Sequence, residues 1–497
     1  MVKRILVANR GEIAIRVMKA IKALGWESVG IYSDPDSEGL HLDYADIKAP
    51  LGGEKALESY LNIEKIIEVA KKYKVDGIHP GYGFLAENPL FAKRVLEEGF
   101  VFVGPKPENI ETLGDKLKAR EKVSSAGVPI TPGTREPVDL GKAREIAKEI
   151  GFPVLLKAAA GGGGKAMKIV EREEELEGAL ESSKREAKSS FSDERIYIEK
   201  YLKNPRHIEF QILADKFGNV LHFYERECSI QRRYQKIIEE TPSTALNDEL
   251  RFKMAKAAVE AAKAVGYENA GTVEFLFSEG KFYFLEVNTR IQVEHPVTEM
   301  TTGYDLVQLQ LKIAFGDPLE IEQDQIKPRG HSIECRIYAE NPVQNFLPSP
   351  GKIYFCKEPN LNWVRIDSGI ASGKEVPPFY DPILSKVITW GRTREEARIL
   401  MVKALKEYVI LGVLTPIPFL IDILEHPEFI KGNINTHFIS DYFSNWKPHS
   451  SIEEQRLVFA LAGLIFSKNF KKEERAYKTS RIENVWEIVK NLGREGI

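Results

Sequence analysis

The chain has 497 residues, 43% of them hydrophobic and 29% charged, with a net charge of −3, so it can bury several cores and lacks the basic excess of a dedicated nucleic-acid binder. Its length favours about three domains. The cysteines Cys228, Cys335 and Cys356 are odd in number and widely spaced, which excludes a disulfide framework or zinc knuckle and predicts free thiols in a reducing compartment.

Met1-Val2-Lys3-Arg4 lacks the apolar core of a signal peptide, so a cytoplasmic protein is expected. The most apolar long stretch, residues 408–424, contains Pro416, Pro418 and Asp422 and reads as a buried segment, with no membrane span. From the N-terminus, Ile5-Leu6-Val7-Ala8 is a short apolar run, and Ile13, Val17, Ala20, Ile21 and Leu24 follow it at helical spacing. The alternation continues through residues 29–32, 63–70, 77–78 and 100–103, which predicts a parallel sheet with helices on both faces. This Rossmann-like domain should end near Gly114, and without Gly-x-Gly-x-x-Gly after its first strand it holds no dinucleotide. His79-Pro80-Gly81-Tyr82-Gly83-Phe84 is a rigid loop at a strand end, where open α/β sheets place ligands.

A second, smaller domain begins after Pro129-Ile130-Thr131-Pro132-Gly133. Its centre is the strand ending at Lys157, then Gly161-Gly162-Gly163-Gly164-Lys165 and a second strand holding Lys168. Four consecutive glycines predict backbone amides that approach a phosphate chain, with Lys157 and Lys165 as cations. Ala159 and Ala166 and the strand that follows exclude a Walker A loop. Ile196-Tyr197-Ile198-Glu199-Lys200-Tyr201-Leu202 reads as a strand, residues 210–214 and 220–224 as a meander, and residues 227–236 as a polar, basic stretch suited to a small anion. Glu334, Arg336 and Tyr338 share one face of a strand, and Thr393 with Glu396 caps a helix. The tail from about residue 450 reads as helical and separate.

The chain's chemistry is concentrated in residues 271–296. Two strands, 272–277 and 282–287, flank Ser278-Glu279-Gly280-Lys281 and are apolar except for Glu274 and Glu286, with Asn288 just beyond. Carboxylates on apolar strands are costly unless paired or bound to a cation, so this set predicts a site for a hard ion such as Mg²⁺. A shared ion needs both acids on one face, which pairs positions summing to 560 and implies a three-residue loop with Gly280 left-handed. Arg290, Gln292 and Glu294 then alternate along an extended exit and should point to one side.

Lys116, Lys157 with the glycine loop, Glu199-Lys200-Tyr201-Leu202 and the Glu274/Glu286/Asn288 set together resemble the ATP-grasp fold. Three longer stretches resemble biotin carboxylase across residues 1 to about 447: residues 79–88, Arg290-Ile291-Gln292-Val293-Glu294-His295-Pro296 with the four residues after it, and Glu334-Cys335-Arg336-Ile337. The resemblance implies an α/β and α+β chain: a Rossmann-like domain over 1–114, an ATP-grasp region over 115–330 with a mobile lid at about 130–203, a mixed β-sheet domain over 331–447, and a helical extension over 448–497.

It also implies that carboxyphosphate forms from ATP and bicarbonate and that biotin N1 is then carboxylated. Lys116, Lys157 and Gly162, Gly163 and Gly164 would hold phosphates, Glu199 with the backbone at Lys200 and Leu202 the adenine, and His207 the ribose. Glu274, Glu286 and Asn288 would hold Mg²⁺ or Mn²⁺. Lys236, Arg290, Gln292 and Val293 would bind bicarbonate with Glu294 as base, Arg336 would stabilise the enolate on the biotin ureido oxygen, and Tyr82 and Gln231 would flank the biotin ring. The family commonly has His where Tyr234 stands and Arg-Gly-Met where Lys165-Ala166-Met167 stands, so neither Tyr234 nor Lys165 is assigned a role.

Biotin is expected on a biotin carboxyl carrier protein or a biotinylated carboxyltransferase subunit, and the chain itself as a homodimer. A second ATP-grasp ligase, a non-catalytic nucleotide sensor and a biotin carrier are the rivals. The last is suggested by Ala166-Met167-Lys168-Ile169, where Lys168 is expected within a strand and free of biotin. The final acceptor stays open among pyruvate, acetyl-CoA, another acyl-CoA and a 2-oxo acid.

Overall fold

The computed structural model describes residues 2–160, 166–448, 460 and 463–464. Gly161 to Gly164, Lys165 and most of the tail lie outside the described residues, and with them the phosphate-loop and helical-extension expectations. The chain divides into two units, 1–446 and 447–497, and the first carries the site.

Strand β1 (Arg4–Val7) is buried on both sides: Ile5 and Val7 pack with helix α1 (Gly11–Ala23), while Leu6 and Ala8 pack with α2 (Ile63–Lys72) and α3 (Pro89–Glu97). With β2 (Glu27–Tyr32), β3 (Ile47–Pro50), β4 (Gly77–His79) and β5 (Val101–Phe102) it forms a sheet of order β3-β2-β1-β4-β5 whose pairs are all parallel. The loop after β4 is fixed by Asn9, whose side-chain amide donates to the carbonyls of Pro80 and Tyr82, each at 2.7 Å.

Helices α4 (Pro107–Gly114) and α5 (Lys116–Ser125) meet at Asp115, which caps α5 by accepting from the amides of Leu117 and Lys118. Next comes a small layer with its own core: α6 (Leu140–Ile150) and α7 (Leu176–Phe191) cover strands β6 (Val154–Ala158), β7 (Lys168–Val170) and β8 (Ile196–Lys200), paired in the order β7-β6-β8. Lys168 lies in β7 as expected, its Nζ 2.5 Å from Ser182 Oγ.

The largest sheet is built from β9 (Arg206–Ala214), β10 (Val220–Arg232), β11 (Gln235–Thr241), β12 (Asn269–Ser278) and β13 (Lys281–Asn288), with helix α8 (Asp248–Ala264) packed against it. Past helices α9 (His295–Thr302) and α10 (Leu306–Ala314), β14 (His331–Tyr338), β15 (Val364–Ser368) and β16 (Ile383–Gly391) join the same sheet. The order is β13-β12-β9-β10-β11-β14-β16-β15, with every pair antiparallel. The sequence-derived fold class holds with one refinement. The C-terminal strands continue the central sheet, and helix α11 (Arg394–Glu407), capped by Thr393, covers that end.

The hairpin β12–β13 pairs Glu274 with Glu286, as the metal argument requires. Its loop is shorter than expected. Ser278 pairs with Lys281, leaving only Glu279 and Gly280 at φ 50° and 76°, a two-residue turn of the type that matches strand twist. The odd residue is absorbed as a bulge, since the register shifts between Glu274 and Phe275 and leaves Leu285 without a partner.

Candidate active site

A cavity of about 400 Å³ lies between the small β7-β6-β8 layer and the large sheet. From the small layer it is lined by Lys157, Glu199, Lys200 and Leu202. From the large sheet come His207, Gln231, Lys236, Glu274, Glu286 and Asn288, and Lys116, Arg290, Gln292, Val293 and Arg336 complete the wall. The sequence-predicted residues that fall within the described chain therefore converge, with two exceptions. Tyr82 is not among the lining residues, and its hydroxyl donates to Glu12 instead. Glu294 lies just beneath the wall, fully buried.

At one end, Glu199 is clamped by Lys157 and by Arg120, both at 3.1 Å. Sequence reading missed Arg120, a helix residue whose role shows only once α5 packs behind β8. His207 stands between the two halves, 2.9 Å from Glu274 through Nε2 and 2.8 Å from the Gln231 amide through Nδ1.

The acid pair follows. Lys116 on Glu286, at 2.7 Å, lowers that carboxyl despite burial. Burial would raise Glu274, but Lys236 and His207 outweigh it and hold it well below the usual range. Asn288 donates to Glu274 at 2.8 Å, so the three side chains meet on one face. Two ionised carboxylates and an amide oxygen suit a hard divalent cation, and the lysines present on the same acids supply the compensating charge.

The centre is Lys236, at the start of β11. Its ammonium touches three carboxylates: Glu209 at 2.5 Å, Glu274 at 2.7 Å and Glu294 at 2.7 Å. Burial disfavours its charge, but these acids raise it well above an ordinary lysine. Arg336 bridges Glu294 at 3.0 Å and Glu239 at 2.6 Å. Burial alone would raise Glu294, yet Lys236 and Arg336 prevail and keep it low and ionised. Glu239, pushed up chiefly by burial and next by Glu294 against the opposing Arg336, reaches about 7. Glu209 is also raised, by burial and by Glu294. Neither Glu209 nor Glu239 was singled out from sequence; each is an ordinary strand acid until the sheet brings Glu209 of β9 beside Lys236 of β11 and Glu239 of β11 beside Arg336 of β14. Ligand atoms of His207, Glu209 and Glu274 lie within 4.8 Å of one another, so Glu209 is a further oxygen available at this corner.

The exit segment differs from its expected form. Residues 289–294 bend into α9 and do not continue as a strand. Arg290 consequently pairs with Glu87 at 2.8 Å and donates to Gln292 at 2.9 Å, while Glu294 turns to Lys236 and Arg336. Glu87 comes from the loop after β4, so the first domain reaches the site through an acid that its flanking Pro-Gly pattern had overshadowed. His295 is buried, its Nδ1 on the Gln292 carbonyl at 2.8 Å, and serves the backbone.

Family models match three successive regions: the biotin carboxylase N-terminal domain over residues 1–110, the ATP-binding domain of the carbamoyl-phosphate synthase L chain over 115–322, and the biotin carboxylase C-terminal domain over 334–441. A pyruvate carboxylase subunit from Methanothermobacter thermautotrophicus is 53% identical over 443 residues, which is 89% of this chain and 90% of that one. The chain belongs to the biotin carboxylase family. Biotin carboxylase 1 of Bacillus subtilis is 49% identical, with 89% of this chain and 99% of that one covered. Among solved structures, a beta-gamma-ATP complex of Campylobacter jejuni biotin carboxylase has a TM-score of 0.86 at 45% identity, covering 89% of this chain and 99% of that one. The biotin carboxylase domain dimer of Hydrogenobacter thermophilus 2-oxoglutarate carboxylase, solved with MgADP and bicarbonate, has a TM-score of 0.87 at 46% identity, covering 90% and 100%. A biotin carboxylase is an ATP-dependent ligase that performs the first half-reaction of a biotin-dependent carboxylase. Among the described residues, no helix is long and apolar enough to cross a membrane.

Proposed function

We propose that this chain carboxylates biotin presented by a separate carrier protein, with ATP and bicarbonate as co-substrates, and that its residues divide the work as follows. Lys116 and Lys157 hold the phosphates, with Gly162 to Gly164 as the backbone cradle, and Glu199, Lys200, Leu202 and His207 hold the nucleoside. Glu274, Glu286 and Asn288 hold Mg²⁺ or Mn²⁺, which when bound neutralises charge on the transferring phosphoryl group. The small layer over residues 130–203 acts as a lid on the Rossmann-like and C-terminal parts.

Arg290, Gln292, Val293 and Lys236 receive bicarbonate. Glu294 accepts its proton as a bicarbonate oxygen attacks the γ-phosphorus and ADP leaves, giving carboxyphosphate. Biotin N1 then attacks the carboxyl carbon, the carboxyl–oxygen bond to phosphate breaks, and the departing phosphate takes the N1 proton. Arg336 faces the ureido oxygen, where negative charge develops, a role suited to a fixed guanidinium. Gln231 flanks the biotin ring from the cavity wall and Tyr82 from the loop after β4.

The observation that carries this reading is that one ionised acid, Glu294, touches both Lys236 at 2.7 Å, the lysine shared with the metal-facing Glu274, and Arg336 at 3.0 Å on β14. A base placed there is in reach of the phosphoryl-transfer and biotin steps alike. Free-biotin carboxylation by Glu294→Gln tests it: wild-type rates would remove Glu294 as the base.

A carrier lysine other than Lys168 is supported by the engagement of Lys168 with Ser182 inside a strand. Co-expression with a biotin ligase and intact-mass measurement should find no added biotin. The partner is a carrier protein or a biotinylated carboxyltransferase subunit, the chain works as a homodimer in the cytoplasm, and the protein that co-purifies with it identifies the carboxyl acceptor.

A further inference from the structure

Lys386, on β16, is a fully buried lysine that none of the roles above uses. It sits opposite Arg336 in the β14–β16 register. Its Nζ donates to the backbone carbonyl of Val293 at 3.0 Å and pairs with Glu12 at 3.1 Å, with Asp367 at 3.8 Å. Glu334 of β14 and Arg365 of β15 are the other charged groups acting on it. Asp367 is already held at both oxygens by Arg365, at 2.8 and 2.7 Å, so Lys386 is not needed to satisfy it.

The Val293 carbonyl belongs to the peptide that carries the Glu294 amide, so fixing it fixes where Glu294 begins. The peptide before it is fixed separately, since the Gln292 carbonyl accepts from His295 Nδ1 at 2.8 Å. Residues 289–294 have no strand ladder to hold them: Glu87 accepts from the Thr289 amide at 3.1 Å and Arg290 donates to the Ile291 carbonyl at 3.3 Å, while the two anchors at Gln292 and Val293 hold the end that leads into Glu294. One anchor is local, from the first residue of α9. The other reaches in from β16.

We propose that Lys386 is a positioning residue for bicarbonate activation: by holding the Val293 carbonyl it sets the bed that receives bicarbonate and the placement of the base Glu294. The inference rests on the bicarbonate reading given above. Glu12 has a different part, keeping the ammonium charged in a dry site.

Bicarbonate-dependent ATP cleavage without biotin, with bicarbonate and ATP varied in turn, tests it. Lys386→Met should lower kcat/KM for bicarbonate about 10- to 100-fold, the scale of a small misplacement in a catalytic site, while the KM for ATP stays within about twofold. Lys386→Gln, which keeps an N–H donor, should recover part of the loss. Glu12→Gln removes the ion pair but leaves the hydrogen bond to Val293, so it should lower thermal stability and leave bicarbonate kinetics near wild type. If Glu12→Gln is as impaired for bicarbonate as Lys386→Met, the effect is general loosening and the proposal falls. Arg290→Ala is the control. Impairment in it but not in Lys386→Met overturns the role of Lys386 alone, whereas wild-type bicarbonate kinetics in both overturns the bicarbonate reading itself. Should Lys386→Met fail to fold, the double variant Glu12→Gln/Lys386→Met leaves no unpaired acid at Glu12 and replaces it, and normal bicarbonate kinetics there overturns the proposal.

Discussion

Two buried charge clusters flank helix α9, and they use their cations differently. In the first, Lys236 is one ammonium shared by Glu209, Glu274 and Glu294 at 2.5 to 2.7 Å. In the second, Arg16 and Arg365 grip Glu299 at 2.7 Å each, Arg16 reaches Asp305 at 2.7 Å, and Arg365 holds Asp367 with both arms. Burial opposes ionisation of Glu299, and Arg16 with Arg365 overcomes it, as Lys236 and Arg336 do for Glu294. Perturbed acidity therefore marks both clusters alike and cannot by itself locate the chemistry. What separates them is replaceability. Forked guanidinium pairs satisfy both oxygens of an acid and tie elements together, whereas a point charge shared three ways can be re-partnered by an incoming anion or cation. Lys236 lines the cavity, and neither Arg16 nor Arg365 does.

The largest effect that sharpens this contrast is expected from Glu294→Gln, which should cut bicarbonate-dependent ATP cleavage and biotin carboxylation about 10²- to 10⁴-fold while nucleotide affinity, measured by calorimetry, is kept. Arg336→Ala should lower free-biotin carboxylation about 10²- to 10³-fold and spare bicarbonate-dependent ATP cleavage by comparison; equal losses in both assays would place Arg336 in the phosphoryl step. For the closed cluster the outcome should reverse. Glu299→Ala leaves the buried Arg16 and the half-buried Arg365 without their shared partner and should cost about 3 kcal/mol in urea unfolding, with kcat of the folded fraction little changed. A selective loss of kcat with full stability would break the distinction between the clusters.

The smallest effect separates two neighbours on one strand. Glu240 faces His331 at 2.8 Å and Arg394 at 2.6 Å, and although burial opposes it, Arg394 and His331 bring its carboxyl from 4.5 to about 2. A depressed carboxyl adds stability above its unfolded value and loses it as pH falls, so this contribution should fade between pH 4.5 and about 2. Glu239 is displaced the other way, to about 7, so its ionisation subtracts stability as pH rises from 4.5 through 7. Glu240→Gln should cost on the order of 3 kcal/mol at neutral pH and flatten the acid limb of stability against pH, and Glu239→Gln should instead flatten the decline between pH 4.5 and about 7. Coincident limbs for the two variants would show that the two faces of the strand are not electrostatically distinct.

Much of the site was legible in the sequence because its parts are local. Glu274, Glu286 and Asn288 sit on a hairpin whose apolar pattern sets which face they share, and Arg290, Gln292 and Glu294 follow within eight residues of Glu286. Illegible were the partners that only tertiary packing supplies: Glu87 on Arg290, Arg120 on Glu199, Glu209 on Lys236 and Glu239 on Arg336. The bend at residues 289–294 was also missed, because the alternation of polar residues there imitates a strand while no neighbouring strand is available to pair with it. The five-stranded parallel sheet was readable from its helix–strand alternation, whereas the merging of the central and C-terminal strands depends on the β11–β14 pairing, which has no local signal.

The unpartnered Leu285 gives the hairpin a property that an even ladder would lack. In a regular strand neighbouring side chains point to opposite faces, yet Leu285 and Glu286 both line the cavity. Removing Leu285 would leave Glu274 opposite Glu286 and restore unbroken pairing through to the turn. The strand would become more regular, and the cavity would lose a greasy wall set directly beside an acid. Strand regularity and site composition are in competition at this single position, and the chain has kept the irregular solution.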